Sequence, residues 1–167
     1  MRILLITLLF LVLVPGVVSS AKEPTFNERV SEMLREHKVM TDRLIAMWEF
    51  RQSEINLLAE VIYHENWHTD KEKRAAYLTG AVVMNRVNSP LWPNTVKAVL
   101  YQKNQYSTTG LFFTKEIPQE CYDMARDIYK NGTPDVPADV IFQSMNPNLG
   151  RKRFESINGE YFAYGRA

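Results

Sequence analysis

Apolar residues recur at helical spacing through most of the chain. Residues three, four and seven positions apart share one face of a helix, whereas alternate residues share one face of a strand. The spacing predicts helices over 22–51 (one long helix or two shorter ones), 54–66, 69–88 and 118–130, a short helix ending at 101, and strands over 140–144, 153–157 and 160–164. Residues 102–117 show no clean period, which predicts a loop with a short extended piece at 106–113.

Local signals indicate where these elements begin and turn. Thr25-x-x-Glu28 and Thr69-x-x-Glu72 are capping boxes, in which a hydroxyl and a carboxylate satisfy free amides at a helix start. Ser53 is a typical N-cap and predicts that a separate helix starts there. Asn158-Gly159 between two apolar runs predicts a tight β-hairpin. The elements together predict a helix-dominated α+β fold with a small C-terminal antiparallel sheet or hairpin, preceded by a helical arm.

The N-terminus has the pattern of a signal peptide. Arg2 precedes an apolar run at 3–14, and Pro15-Gly16 and small residues ending at Ala21 follow it. The run is short for a membrane span, although an uncleaved anchor is the alternative. We therefore expect a signal peptide at 1–21, a charged helical arm at 22–52, a main folded domain at 53–167, and a secreted or cell-envelope protein.

Charge and cysteine content exclude some classes of protein. The chain has 20 basic and 19 acidic residues, and removal of the signal peptide takes away only Arg2. A mature chain near neutrality predicts no nucleic-acid partner. The single Cys121 has no internal disulfide partner, lies in a helical pattern, and is expected in the core. Residues 22–51 show no catalytic arrangement, so we expect packing, a spacer, self-association or a protein partner there.

The stretch 57–68, LLAEVIYHENWH, holds the strongest candidate for chemistry. In a helix, Glu65 shares a face with Leu58, Val61 and Ile62, which is expected to be core. Burial disfavours the charged form of a carboxyl group and raises its pKa above the usual value of about 4.3. Such a group suits a general acid near neutral pH, so Glu65 is the predicted catalytic residue.

The same residues also allow the hypothesis that the chain is a zinc protease. His64-Glu65-x-x-His68 matches the HExxH motif, in which both histidines hold zinc and the glutamate is the base. A catalytic zinc needs a third protein ligand, and the only other histidine, His37, lies upstream. We therefore expect no metal and no cofactor, with His64 and His68 on the solvent side or at a cleft rim. The metalloprotease remains an alternative.

Several ordered blocks around Glu65 resemble one known family. They are LLAxVIYxE at 57–65, GAVVMNRVNS at 80–89, WPNTVxxVLYQ at 92–102, QYS at 105–107 and INGEYF at 157–162. These blocks are similar to the SleB/CwlJ cell wall hydrolase family, which includes spore cortex-lytic enzymes. The resemblance spans roughly 53–164. It implies a lysozyme-like, lytic-transglycosylase-type fold, 53–167 as the catalytic domain, and peptidoglycan glycan strands as the partner and substrate, with Glu65 as the catalytic glutamate.

The chain departs from the family near this glutamate and near its end. The loop after Glu65 is longer by about two residues, and Glu160 stands where many members have histidine. Ordinary glycosidases need a second carboxylate, for which Asp70, Glu72, Glu116 and Glu120 are poorly placed. We therefore predict a lytic transglycosylase that uses Glu65 as acid and then base. A non-catalytic wall-binding protein is a further alternative.

Candidate substrate-binding residues surround the predicted acid. Gln105, Tyr106 and Ser107 lie in the predicted loop, where polar and aromatic groups suit sugar binding. Asn85 follows a buried helical run and is expected either to line the cleft or to cap the helix. Tyr63 is expected either in the core or at a sugar subsite.

Overall fold

The computed structural model describes residues 23–165. Its elements are α1 Phe26–Asn66, α2 Arg74–Asn88, α3 Val96–Leu100, the 3-10 helix Ser107–Leu111, α4 Gln119–Asn131, β1 Val140–Ser144, β2 Arg153–Ile157 and β3 Glu160–Tyr164. The predicted helix-dominated α+β class with a small C-terminal antiparallel sheet is confirmed. The predicted signal peptide lies outside the described residues. Within 23–165, no helix is long and apolar enough to cross a membrane.

Helix α1 is continuous, so the predicted new start at Ser53 is wrong. Ser53 Oγ donates to the carbonyl of Phe50, 2.7 Å away, within the preceding turn. The residues around Ser53 favour helix, and the hydroxyl bonds back to the helix without ending it. The capping box at the start of α1 is confirmed: Glu28 accepts from Thr25 N at 2.6 Å, and Glu28 N donates to Thr25 Oγ1 at 3.3 Å.

Burial changes sharply along α1. Among the described residues, contacts divide the chain into one unit that ends at Asp42 and a second unit that begins at Arg43. Every residue from Phe26 to Arg51 is exposed. In contrast, Leu58, Val61 and Ile62 are fully buried, as the helical period predicted.

The main core lies where the C-terminal part of α1 meets α2, α3 and α4. Gly80 allows helices α2 and α4 to pack closely together, because a Cβ at this position would lie 2.6 Å from Ile128 Cδ1 of α4. Cys121 in α4 is fully buried, as predicted, and burial raises the pKa of its thiol to about 12. The cysteine therefore serves as a small core residue.

The start of α2 is capped differently from the prediction. The structure has no Thr69–Glu72 capping box, and α2 begins at Arg74 after Lys73 in a left-handed conformation. The Asp70 carboxylate instead accepts from the amides of Arg74 (2.8 Å) and Ala75 (3.0 Å). A carboxylate satisfies these free amides and interacts favourably with the helix dipole, which makes it an effective substitute for the predicted box.

The three strands form one antiparallel sheet in the order β1-β3-β2, and all three match their predicted bounds. The hairpin between β2 and β3 turns at Asn158 and Gly159, whose φ values of 49° and 90° are those of a type I′ turn. The side chain of Asn158 donates to the carbonyl of Thr69, 2.6 Å away. This bond ties the hairpin turn to the segment that follows α1.

The segment 102–117 contains the 3-10 helix Ser107–Leu111 where an extended piece was predicted at 106–113. Thr109 Oγ1 donates to the carbonyl of Tyr106, 3.1 Å away. Local bonds of this kind from threonine favour turns over extended chain. The prediction of an extended piece at 106–113 was therefore wrong.

Candidate active site

A cavity of about 420 Å³ opens at the C-terminal end of α1. Its wall combines side chains from α1, α2, the segment before the 3-10 helix, β1 and β3. Polar members of the wall are Glu65, Arg86, Asn104, Gln105, Tyr106, Gln143, Ser144 and Glu160. A concave site with convergent polar and titratable groups is the typical setting for binding and catalysis.

Glu65 occupies the last turn of α1, directly after the buried residues of that helix. Its side chain is half-buried and faces the cavity. Thr108 Oγ1, from the 3-10 helix, donates a short hydrogen bond to Glu65 Oε1. The next residue, Asn66, is buried and donates to Thr79 Oγ1 of α2 at 2.9 Å. The end of α1 is thereby fixed, and the carboxyl group of Glu65 is held in one orientation.

Glu160 supplies a second carboxyl group to the same cavity. It is the first residue of β3, and its half-buried side chain lies beside Gln143 of β1. Burial raises the pKa of Glu160, the Gln143 amide lowers it, and the negative charge of Glu65 raises it further. The net direction is upward, so Glu160 keeps its proton to a higher pH than an exposed glutamate does.

Arg86 is a buried cation in the cavity wall, with only 3% of its surface exposed. Its Nε donates to the carbonyl of Ile141 at 2.7 Å, and one terminal nitrogen donates to Gln105 Oε1 at 3.0 Å. The guanidinium group also lies 4.4 Å from the ring centre of Trp92. No carboxylate within 23–165 forms an ion pair with it, so its charge remains available to a ligand in the cavity.

Two buried polar atoms of the wall have no hydrogen-bond partner among the described residues. They are the hydroxyl of Tyr106 and Oε1 of Gln143. Burial raises the pKa of Tyr106, Arg86 lowers it, and the charges of Glu65 and Glu160 raise it, which shows that all these groups share one environment. Leaving such atoms unpaired is unfavourable. Hydroxyl or amide groups of a ligand are suitable partners for both.

The structure brings together three of the predicted site residues. Glu65, Gln105 and Tyr106 line the cavity. Ser107 is exposed at the start of the 3-10 helix and does not line it.

Asn85 and Tyr63 lie away from this wall. Asn85 is buried, and its Nδ2 donates to the carbonyls of Pro137 and Val140 at 2.9 and 3.0 Å. These bonds hold the start of β1 against α2, which is a structural role. Tyr63 packs against the main core and has Lys115 Nζ 4.8 Å from its ring centre.

The cavity residues missed as site candidates include Arg86, Gln143 and Glu160. Thr108, which donates to Glu65, was also missed. A signal existed for Arg86, because a charged residue within an otherwise buried helix is uncommon and requires specific partners. Gln143 and Glu160 lie on strands far along the chain from Glu65, and only the folded sheet brings them to it.

The residues of the HExxH motif do not form a common metal-binding face. The side chain of His64 is 6% exposed, with Nε2 lying 3.3 Å from Oε2 of the buried Glu60 and its ring stacked on Phe112. The expectation that His64 lies on the solvent side or at a cleft rim was therefore wrong. His68 is exposed, as expected, in the turn after α1. Within 23–165, no group of three histidine, cysteine or acidic side chains is placed to hold a metal ion.

Comparisons with known proteins agree with the fold and the ordered blocks of sequence. The cell wall hydrolase family model matches residues 70–162. The spore cortex-lytic enzyme of Bacillus subtilis (strain 168) is 40% identical over 125 residues, and the match covers 68% of this chain but 38% of that protein. The crystal structure of the catalytic domain of the Bacillus cereus SleB protein shares the fold, with a TM-score of 0.54 and 20% identity, over 66% of this chain and 89% of that one. The chain therefore belongs to the cell wall hydrolase family.

Proposed function

We propose that the chain cleaves peptidoglycan glycan strands at the β-1,4 bond between N-acetylmuramic acid and N-acetylglucosamine. The observation that carries this proposal is the position of Glu65, a half-buried carboxyl group held by Thr108 at the edge of a polar cavity. The spore cortex-lytic relative supports this class of substrate. In this proposal, residues 53–167 form the catalytic domain and act in the cell envelope, to which the predicted signal peptide directs the chain.

The reaction we infer is that of a lytic transglycosylase. The Glu65 carboxyl group donates its proton to the glycosidic oxygen as the bond from that oxygen to C1 of the muramic acid breaks. The 6-hydroxyl of the same sugar then attacks C1 and transfers its proton to the Glu65 carboxylate. The product is a 1,6-anhydro sugar, and Glu65 returns to its protonated form without water or a second carboxylate.

The other polar groups of the cavity bind the sugar in this mechanism. The Tyr106 hydroxyl donates to a sugar oxygen, and Gln143 Oε1 accepts from a sugar hydroxyl or acetamido N–H group. Each bond would satisfy a buried atom that has no partner among the described residues. Arg86 orients Gln105 and attracts electron-rich oxygens of the strand.

Glu160 favours a second candidate reaction, namely hydrolysis by two carboxyl groups. Its presence beside Glu65 removes the main sequence argument against an ordinary glycosidase. Because its pKa is raised, Glu160 would be the proton donor, and the Glu65 carboxylate would activate water or attack C1. The products would then carry ordinary reducing ends.

Digestion of purified cell walls followed by mass spectrometry separates these reactions. The transglycosylase proposal expects anhydromuramic ends from the wild type, loss of cleavage with Glu65→Gln by at least about 100-fold, and the same products with Glu160→Gln. Hydrolysis expects reducing ends and comparable losses with both variants. Glu72→Gln is the matched control, because Glu72 is exposed and outside the cavity.

Two further outcomes would contradict both glycosidase reactions. Loss of activity with His68→Ala and after EDTA treatment, together with peptide cleavage, would indicate the metalloprotease. Binding to walls without release of any fragment, by wild type and Glu65→Gln alike, would indicate a non-catalytic wall-binding protein.

A further inference from the structure

One face of α1 carries large apolar side chains that contact no other part of the described chain closely enough to bury them. Met33, Met40, Leu44 and Met47 are 57–66% exposed, and Val30 is 36% exposed. Phe26, at the first residue of the helix, is 79% exposed. Such a row of exposed large apolar residues is typical of an interaction surface.

The spacing of this row is that of a coiled coil. Phe26, Met33, Met40 and Met47 are seven residues apart and occupy heptad position d, and Val30, His37, Leu44 and Arg51 occupy position a. A period of 3.5 residues keeps one seam facing a neighbouring helix over its whole length. The surface therefore fits a second helix with the same period.

We propose that α1 pairs with α1 of a second copy of the chain in an antiparallel coiled coil. In this arrangement each a residue faces a d residue of the second copy. The register that uses the whole row places Val30 against Met47, Met33 against Leu44, and His37 against Met40. Each of these layers occurs twice, because the pairing is symmetric.

The charged residues favour a second copy of the chain as the partner, and they favour the antiparallel direction. In the same register, Glu36 and Arg43 occupy facing g positions, so the two copies form two Glu36–Arg43 ion pairs. Neither side chain has an ion-pair partner within its own chain among residues 23–165. A parallel pair would instead place Arg51 against Arg51 at the seam, and like charges there are unfavourable.

Sedimentation equilibrium of the full chain tests the pairing. The wild type is expected to dimerise, and Leu44→Glu is expected to raise the dimer dissociation constant by at least about 100-fold, because it buries two charges in the seam. Ile45→Glu is the matched control. Ile45 is the residue next to Leu44 and is 50% exposed, but it lies at heptad position b, outside the seam. A monomeric wild type, or equal effects of both substitutions, would overturn the proposal.

Disulfide trapping tests the direction. Chains with Met33→Cys and Leu44→Cys, purified separately and mixed under mild oxidation, are expected to form the mixed disulfide faster than either forms its own. A parallel pair would give the opposite result, because each introduced cysteine would then face the same position of the second copy, d against d for Met33→Cys and a against a for Leu44→Cys. The native Cys121 is fully buried and does not compete. Far-UV circular dichroism shows whether each variant keeps its helix.

Discussion

Glu65 and Glu160 line one cavity, and the charge of Glu65 contributes to the raised pKa of Glu160. Glu65 comes from the last turn of α1 and Glu160 from the first residue of β3. Their proximity brings a second titratable group to a site for which the sequence alone indicated one acid. We therefore expect substitution of these residues to change the stability of the protein as well as its catalysis.

Glu160→Gln is expected to stabilise the protein near pH 7 and to have little effect near pH 4. A raised folded-state pKa means that the folded chain binds more protons than the unfolded chain between the two pKa values. Wild-type stability therefore falls as pH rises through that window, and a neutral glutamine avoids the loss. Thermal melts of wild type and variant at both pH values measure the difference. Glu72→Gln is the control, because Glu72 is exposed and lies outside the cavity. An equal gain from Glu160→Gln at both pH values would contradict the prediction.

Thr108→Val is expected to lower the rate of wall cleavage by about 10- to 100-fold, the loss that corresponds to a hydrogen bond to a charged group. The substitution keeps the shape of the side chain and removes only the donor to Glu65 Oε1. Thr114→Val is the control, because its hydroxyl donates to the carbonyl of Leu111 and does not contact Glu65. Initial rates of turbidity loss from a wall suspension provide the measurement. Equal rates for the two variants would show that this bond is not needed.

Asp70→Ala is expected to lower the free energy of unfolding by about 1 kcal/mol, because it removes the acceptor for two free amides at the start of α2. Glu72→Ala is expected to have little effect, since Glu72 is exposed and does not cap this helix. Urea denaturation followed by circular dichroism compares the two variants. A larger effect of Glu72→Ala would support the capping box predicted from the sequence.

Gly150→Ala is expected to destabilise the sheet by about 1–3 kcal/mol. The φ of Gly150 is +88°, and a Cβ there would lie 2.8 Å from Ala163 Cβ and 2.9 Å from the carbonyl oxygen of Tyr164. Gly110→Ala is the control, because no atom lies within 4 Å of its added Cβ. Urea midpoints of the two variants should differ clearly. Similar midpoints would show that the segment before β2 adjusts at little cost.

The sequence predicted the features that depend on neighbouring residues. The Asn158-Gly159 turn, the capping box at Thr25 and the buried face of α1 at Leu58 are all confirmed. These features arise from local backbone preferences and from the helical period, which are present in any short stretch of chain.

Two features could not be predicted from neighbouring residues. The cap of α2 depended on competition between two capping residues, and the placement of Gln143 and Glu160 in the cavity depended on tertiary structure. Asp70 and Thr69 are both good capping residues, and the left-handed Lys73 decides between them by shifting the helix start. Gln143 and Glu160 reach Glu65 only after β1 and β3 pair and pack on α2. The spacing of these residues along the chain therefore does not predict that they lie near Glu65.

The bond from Asn158 to Thr69 has a mechanical consequence for this pair of carboxyl groups. Asn158 precedes Glu160 by one turn residue, and Thr69 follows the end of α1 that bears Glu65. The span between the two acids is thus bridged by a short loop of chain closed by one hydrogen bond. Any movement of the hairpin away from the end of α1 must break this hydrogen bond, and the bond therefore limits how far the two carboxyl groups can separate.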